Sequence, residues 1–382
     1  MRPGRLGFAV TAAATLASAT RAAAQDSVFG IRGLGFPDRA VSVGSAAMGG
    51  GLSLFDGTSA VNPASLSQWH GTAGWVVGAG SFHSFDAGSG STSLSATRFP
   101  LLGFAGAIGS RFVLGATVSD YLDRNWRVIQ SDTIPLRGVP VATQDETRSV
   151  GGVTDVRLAM AYRLRGAVLG LGLHVLTGSA VTTDTRLFPG DSAYLPYTQQ
   201  QTTSYRSLGV SLGAFLSPLP NVLVAASARL NGRLRAASPD SIEHVGMPVE
   251  VNGGVSWVPV AGLLVAGTVG YATWSRAADA LAAAGQGRSR DVTSVGLGVE
   301  ASFLRFAGKP LALRGGYRWR QLPFAADSAG AVLAEHAVTG GFGLETAGGR
   351  ATVDVGLDAG TRTARTLSES FTTVYVGLTI RP

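Results

Sequence analysis

The sequence predicts an all-β fold, a transmembrane antiparallel β-barrel of about fourteen strands, from three observations: an export-type leader, long segments that alternate apolar and polar residues, and short links that alternate with long ones.

Arg2 and Arg5 precede an apolar, Ala-rich stretch from Leu6 to Ala17, and small residues follow at Ala22, Ala23 and Ala24 before Gln25. This is the order of a secretory signal peptide. A spanning helix needs about twenty apolar residues, which this stretch does not reach, so residues 1–24 are expected to be cleaved off. No later apolar run reaches spanning length either, although 45% of the residues are hydrophobic and only 14% are charged. A helical membrane protein is thereby excluded, and the apolar residues must lie one in two along strands.

Cysteine is absent, which excludes disulfides, thiolate metal sites and a cysteine nucleophile. Losing Arg2, Arg5 and Arg21 with the leader lowers the formal charge from +7 to +4. The basic residues are nearly all Arg, with Lys309 the only lysine, and they are scattered along the strands rather than gathered in a stripe. Nucleic acid is therefore not an expected partner.

The region 71–382 carries the barrel pattern. Leu169, Leu171, Leu173 and Val175 alternate with Gly170, Gly172 and His174; Leu208, Val210, Leu212, Ala214 and Leu216 alternate with Ser207, Gly209, Ser211 and Gly213. The same period returns at Val222–Asn231, Val295–Phe303 and Ala351–Gly360, always with charge confined to the non-apolar face. A helix would mix the two sets, whereas a strand separates them. A two-sheet soluble sandwich also alternates, but its inward face recruits large side chains. Here one face holds Val, Leu and Ala and the other Gly, Ser, Thr and charge, which suits lipid outside and a filled or wet lumen inside.

Tight links at Gly109–Ser110, Arg165–Gly166, Ser217–Asn221, Val258–Gly262 and Ala347–Arg350 alternate with long polar ones at Asp123–Ser149, Ser179–Gln201, Arg235–Gly246, Arg276–Ser289 and Gln321–Val332. Outer-membrane barrels sit with short turns in the periplasm and long loops outside, so the bacterial outer membrane is the expected location, with its lipid and the barrel-assembly machinery as partners. Trp75, Trp257, Tyr271, Trp274, Tyr317 and Trp319 are candidates for interfacial aromatic girdles. The last strand, Phe371–Arg381, looks like a closing strand, although the chain stops at Pro382 without the usual terminal aromatic residue.

Residues 25–70 do not alternate and cannot be a spanning strand. They contain Met48-Gly49-Gly50, then Asp56, then Asn62-Pro63-Ala64 and Leu66. Over about thirty residues this resembles the N-terminal signature of the FadL family of hydrophobic-substrate transporters and of the related PorV/PorQ group. The aromatic residues usual before Asn-Pro-Ala are replaced by Ala60-Val61. The resemblance implies that residues 25–70 fold into the barrel as a plug or hatch built on Met48, Gly49, Gly50, Asp56, Asn62, Pro63 and Ala64. It implies a channel for small hydrophobic molecules such as long-chain fatty acids, working by passive diffusion with the substrate leaving sideways into the membrane. The alternative it implies is a barrel that serves protein secretion by binding partners.

Chemistry beyond transport finds little support. Gly209-Val210-Ser211-Leu212-Gly213 matches Gly-x-Ser-x-Gly, but that motif acts where Ser tops a sharp strand-to-helix turn, and this one lies mid-strand. His174 is expected to face the lumen, while His70, His83, His244 and His336 have no ligand spacing. No catalytic residue, metal or cofactor is assigned. The lumen charges Arg157, Arg163, Arg229, Arg314, Arg318 and Arg320 are expected to pair with Glu250, Glu300, Glu345, Asp354 and Asp358, or to steer an anionic head group.

Overall fold

The computed structural model describes residues 27–86, 91–189, 194–325, 331–364 and 367–382; the leader read at residues 1–24 lies outside them. Fourteen strands make one closed wall. They are β1 (Thr72–Asp86), β2 (Ser91–Ile108), β3 (Phe112–Asp123), β4 (Val139–Leu164), β5 (Ala167–Leu187), β6 (Tyr197–Leu219) and β7 (Val222–Asn231), followed by β8 (Val249–Val260), β9 (Leu263–Ala272), β10 (Val292–Phe306), β11 (Lys309–Leu322), β12 (Leu333–Thr346), β13 (Ala351–Ala364) and β14 (Leu367–Ile380). Each pairs antiparallel with the next, and β14 returns to β1 from Ser368 opposite Asp86 to Ile380 opposite Gly74. Closure leaves no edge within the wall, so its backbone groups are satisfied without water, the condition for standing in hydrocarbon. Among the described residues no helix is long and apolar enough to cross a membrane.

The two faces divide as the alternation requires. Leu158, Leu173, Leu208, Leu212, Val269 and Leu297 stand exposed on the outside. Thr117, Arg157, His174, Ser211, Ser227, Arg318 and Asp358 are buried on the inside. An apolar outer surface around a polar interior is the reverse of a soluble protein and places this wall in a bilayer. Even the shortest wall strands, β7 and β9, have ten residues, within the range of about nine to eleven that a tilted spanning strand needs.

The links at one end are tight, including one at Ala307–Gly308, where both residues take positive φ (49° and 76°) as a two-residue hairpin demands. The opposite end differs from the expected long polar loops. Asp123–Ser149 is largely strand: Trp126–Leu136 pairs with the first half of β4, Trp126 opposite Ser149 through Leu136 opposite Val139. Ser179–Gln201 is also largely strand, since β5 and β6 stay paired out to Arg186 and Tyr197. Outward positions of β4 turn polar at Gln144, Glu146 and Arg148, so these strands have left the lipid and rise as a fin. A second hairpin, Arg233–Ala237 with Ile242–Gly246, leans on β6, and α2 (Ala278–Ala283) lies in the link between β9 and β10.

The aromatic expectation needs correction at two positions. Trp257, Tyr271 and Tyr317 are exposed outside and Trp319 is half-buried, but Trp75 and Trp274 are only 3% and 4% exposed. Trp75 sits on the inward parity of β1 and stacks on Trp69 at 5.7 Å, while Trp274 packs edge-on against Phe324 in the linking segments. In β1 the apolar parity, Ala73, Trp75, Val77 and Ala79, is the buried one, and the outward parity carries Gly74, Gly78 and Gly80.

Candidate functional site

Residues 27–71 lie inside the wall. A short bridge, Phe36–Pro37, pairs with Asp123 and Leu122 of β3. Helix α1 (Val43–Ala47) starts at Ser42, whose hydroxyl accepts from the Ser45 N–H at 3.0 Å and donates to Asp56. Asp56 also accepts from the backbone and hydroxyl of Thr58 at 2.8 and 2.6 Å, so its carboxylate ties the start of the helix to the turn after it. Asn62 caps the 3₁₀ turn Pro63–Gln68. Its Oδ1 accepts from Ala64 N at 3.0 Å, its Nδ2 donates to Leu54 O at 3.1 Å, and the φ locked by Pro63 suits the first helical position.

Glycines of the wall make room for this segment. Met48 and Ala64 are fully buried. A Cβ on Gly298 or Gly316 would strike the Met48 backbone or Cβ, and one on Gly170 would strike Ala64 N. Gly49 and Gly50 take positive φ, 64° and 87°, which turns the chain directly against Tyr317 of β11. Wall side chains then hold the segment: Thr339 Oγ1 donates to Ala47 O at 2.9 Å, Thr268 Oγ1 to Gly50 O at 3.1 Å, Arg157 Nη1 to Ala60 O at 2.7 Å and Arg163 Nη2 to Ser67 O at 2.6 Å.

The segment lies between two chambers. Toward the fin, a cavity of about 230 Å³ is lined by Arg39, Val61, Tyr121, His174, Arg229, Trp274 and Leu322. Toward the tight turns, a polar chamber of about 670 Å³ is lined by Asp56, Trp69, Glu300, Arg314, Glu345, Asp354 and Arg381. Gly49, Gly50 and Ala60 face the first, and Ser42, Gly44 and Thr58 face the second.

Of the lumen charges read from the sequence, Arg314 bridges Glu300, at 2.6 Å, and Asp354. Arg318 takes Asp358 at 2.7 Å and Glu335 at 2.9 Å. Arg229 takes Asp155 at 2.9 Å. Arg320 takes Glu335 at 2.8 Å, and Arg157 reaches Thr117 Oγ1 at 3.2 Å besides Ala60 O. Glu250 accepts from the Tyr121 hydroxyl at 2.8 Å, and Glu345 is exposed in the turn-end chamber. The sequence reading missed Asp155, Glu335, Arg362, Glu369 and His83. Arg362 joins Glu335 and Glu369 at 2.8 Å each, and His83 Nδ1 meets Glu369 Oε1 at 2.6 Å. The guanidiniums of Arg320 and Arg362 lie over the ring of Phe36 of the inner segment, 5.2 and 4.3 Å from its centre. The inward parity of Glu335, Glu369 and His83 was legible, but their mutual closeness depends on β1, β12, β13 and β14 meeting around the closure.

Among the described residues no group of three potential ligands stands ready for a metal ion. The arrangement is a wall that binds an inner segment by hydrogen bonds and ion pairs and leaves a cavity with mixed apolar and polar lining above it.

Among solved structures, the chain is similar to the CymD monoaromatic hydrocarbon channel, at 16% identity with a TM-score of 0.59 over 90% of this chain and 97% of that one. It is similar to a Pseudomonas aeruginosa FadL homologue, at 11% identity and 0.59 over 90% and 99%. It is also similar to the P. putida toluene transporter TodX, at 14% identity and 0.58 over 90% and 98%. No protein-family model and no curated protein matches the sequence. At these identities the likeness is one of fold: the chain has the barrel of the FadL-type channels.

Proposed function

We propose that this chain, a barrel of FadL type in its fold, lets small hydrophobic molecules cross the bacterial outer membrane by passive diffusion, with residues 27–71 as its plug. One observation carries the reading: a segment packed across a closed barrel, with a part-apolar cavity on the fin side and a polar chamber on the turn side. An apolar solute that enters the first cavity gains nothing by going on into the second, which holds Asp56, Glu300, Glu345 and Asp354. The favourable exit is sideways into lipid. A seam for that exit lies between β1 and β2, where the register slips between Val77 and Ala79 and places Gly78 against Phe99 and Pro100. Proline has no N–H for the ladder and glycine no side chain to close the gap, so the wall is weakened there.

The test is uptake of labelled toluene and of a labelled long-chain fatty acid by cells lacking their own transporter, with surface assembly of the barrel verified. Uptake of either above the empty-vector rate, and its loss when Gly78 is replaced by Val, is the expected result. A properly assembled barrel that passes neither compound would discard the reading. The comparison of the two solutes assigns the class, since the fold does not choose between a monoaromatic and a long acyl chain.

A further inference from the structure

Three side chains from adjacent strands meet in one hydrogen-bonded line on the lumen face. His174 of β5 turns Nδ1 to both carboxylate oxygens of Asp155 of β4, at 3.0 and 2.9 Å, and Nε2 to Ser211 Oγ of β6 at 2.8 Å. Arg229 Nη1 holds Asp155 in turn at 2.9 Å. The line follows from register. Arg157 and Gly209 stand directly opposite His174, so Asp155 and Ser211, two positions away on each side, reach it diagonally. Gly172 is opposite Ser211 and keeps the place open: a Cβ there would strike Ser211 Oγ and stand 3.4 Å from His174 Nε2 and 3.6 Å from Arg157 Cδ. All three residues are at most 2% exposed, yet all three line the fin-side cavity.

Nη2 of Arg157 and Nη2 of Arg229 are buried with no hydrogen-bond acceptor among the described residues, and Arg157 as a whole is 1% exposed. Buried guanidinium N–H groups left without a partner are costly, and an oxygen that acquires negative charge beside them removes the cost.

We propose that Asp155, His174 and Ser211 form a nucleophilic triad that hydrolyses esters of small apolar carboxylic acids within the lumen, with Arg229, which lines the same cavity, receiving the charge that develops on the carbonyl oxygen. Asp155 holds His174 as the Nδ1–H tautomer, which leaves the Nε2 lone pair for the Ser211 proton. Ser211 Oγ bonds to the carbonyl carbon as its proton passes to Nε2. The tetrahedral intermediate then expels the alcohol oxygen, which takes that proton and leaves an acyl-serine. Water, losing a proton to Nε2, adds to the acyl carbon, and collapse releases the acid and returns the proton to Ser211. The net change is ester plus water to acid plus alcohol, with no oxidant or reductant. Because Ser211 lies mid-strand among ladder-bonded amides, the oxyanion donors have to be side chains here, unlike the strand-to-helix turn in which Gly-x-Ser-x-Gly serines act. The cavity of about 230 Å³, with Val61, Tyr121, Trp274 and Leu322 on its walls, suits a short acyl or aromatic group.

The experiment uses the full-length barrel in detergent, its folding verified by heat-modifiable migration. It is treated with a fluorophosphonate and mapped by peptide mass spectrometry, and its hydrolysis of p-nitrophenyl butyrate is followed. An adduct on Ser211, with hydrolysis lowered at least about 100-fold in Ser211→Ala and in Gly172→Ala, is the expected result. The first variant removes the nucleophile at nearly constant volume, and the second displaces it from His174. A folded wild-type barrel that carries no adduct on Ser211, or hydrolyses the ester no faster than Ser211→Ala, overturns the proposal. The channel reading rests on uptake and this one on the adduct, so each can fail alone.

Discussion

Glu335 shows what the lumen requires of a charge. It is fully buried and takes Arg318, Arg320 and Arg362 at 2.8 to 2.9 Å. Three guanidiniums around one carboxylate are tolerable only because Asp358 and Glu369 balance the set from neighbouring strands. Replacing Glu335 by Gln removes the central anion and leaves buried cations short of a partner. The expected cost is about 3–5 kcal/mol, read as a lowered urea midpoint of the detergent-solubilised barrel. An unchanged midpoint would mean that the remaining acids carry the network alone. The shared inward parity of Arg314, Arg318 and Arg320 was legible from their even spacing; Arg314 meets Glu300 and Asp354 and Arg318 meets Asp358, whereas Arg320 meets Glu335. Glu335 was not foreseen, because its closeness to Arg318 depends on the pairing of β11 with β12, Arg318 opposite Ala337.

Among the elements, the fin departs furthest from the sequence reading. Both of its parities carry polar residues, and polarity alone does not separate a loop from a strand that has left the lipid. What makes it strand is continuation: once β4, β5 and β6 are in register, each further residue adds ladder bonds without a new closure cost. Ion pairs decorate it, Arg127 with Glu146 and Arg186 with Asp145, each at 2.7 Å. Hydrogen bonds from Arg186 and Arg127 hold the Asp145 and Glu146 carboxyls below their ordinary range. Depressed carboxylates contribute stability at neutral pH and lose it as pH falls through their lowered folded-state values, under the ordinary carboxylate range. The wall does not depend on the fin, since β3 pairs with β4 from Phe112 opposite Tyr162 to Asp123 opposite Gly152. Replacing residues 127–148 by a short glycine-containing turn is therefore expected to leave a closed, heat-modifiable barrel, checked by unheated gel migration. A deletion that abolishes folding would make the fin part of the folding unit.

At the scale of the whole molecule, the inner segment and the wall are complementary surfaces. Wall glycines admit the segment's backbone, and wall Thr and Arg side chains satisfy its carbonyls. Gly298→Leu inserts a side chain where the Met48 backbone lies, within a strand whose outward face is untouched. The expected outcome is an assembled barrel with its segment displaced, seen as raised single-channel conductance in a planar bilayer and as new tryptic cleavage at Arg39. Unaltered conductance together with a protected Arg39 would show that the segment tolerates the intrusion.

Sequence alone determined the number of wall strands and, outside β1, which parity meets lipid, because alternation is a local property that each strand writes for itself, as Leu169–Val175 and Leu208–Leu216 do. It misplaced Trp75 because in β1 glycine takes the outward parity and the apolar residues pack against the inner segment. The tertiary structure alone decided which inward residues touch. Asp155, His174 and Ser211 lie tens of residues apart, and His83 lies 286 residues from Glu369. Their contacts are set by register across closed neighbours and by the fit of residues 27–71 inside, both of which are relations between segments that no single segment encodes.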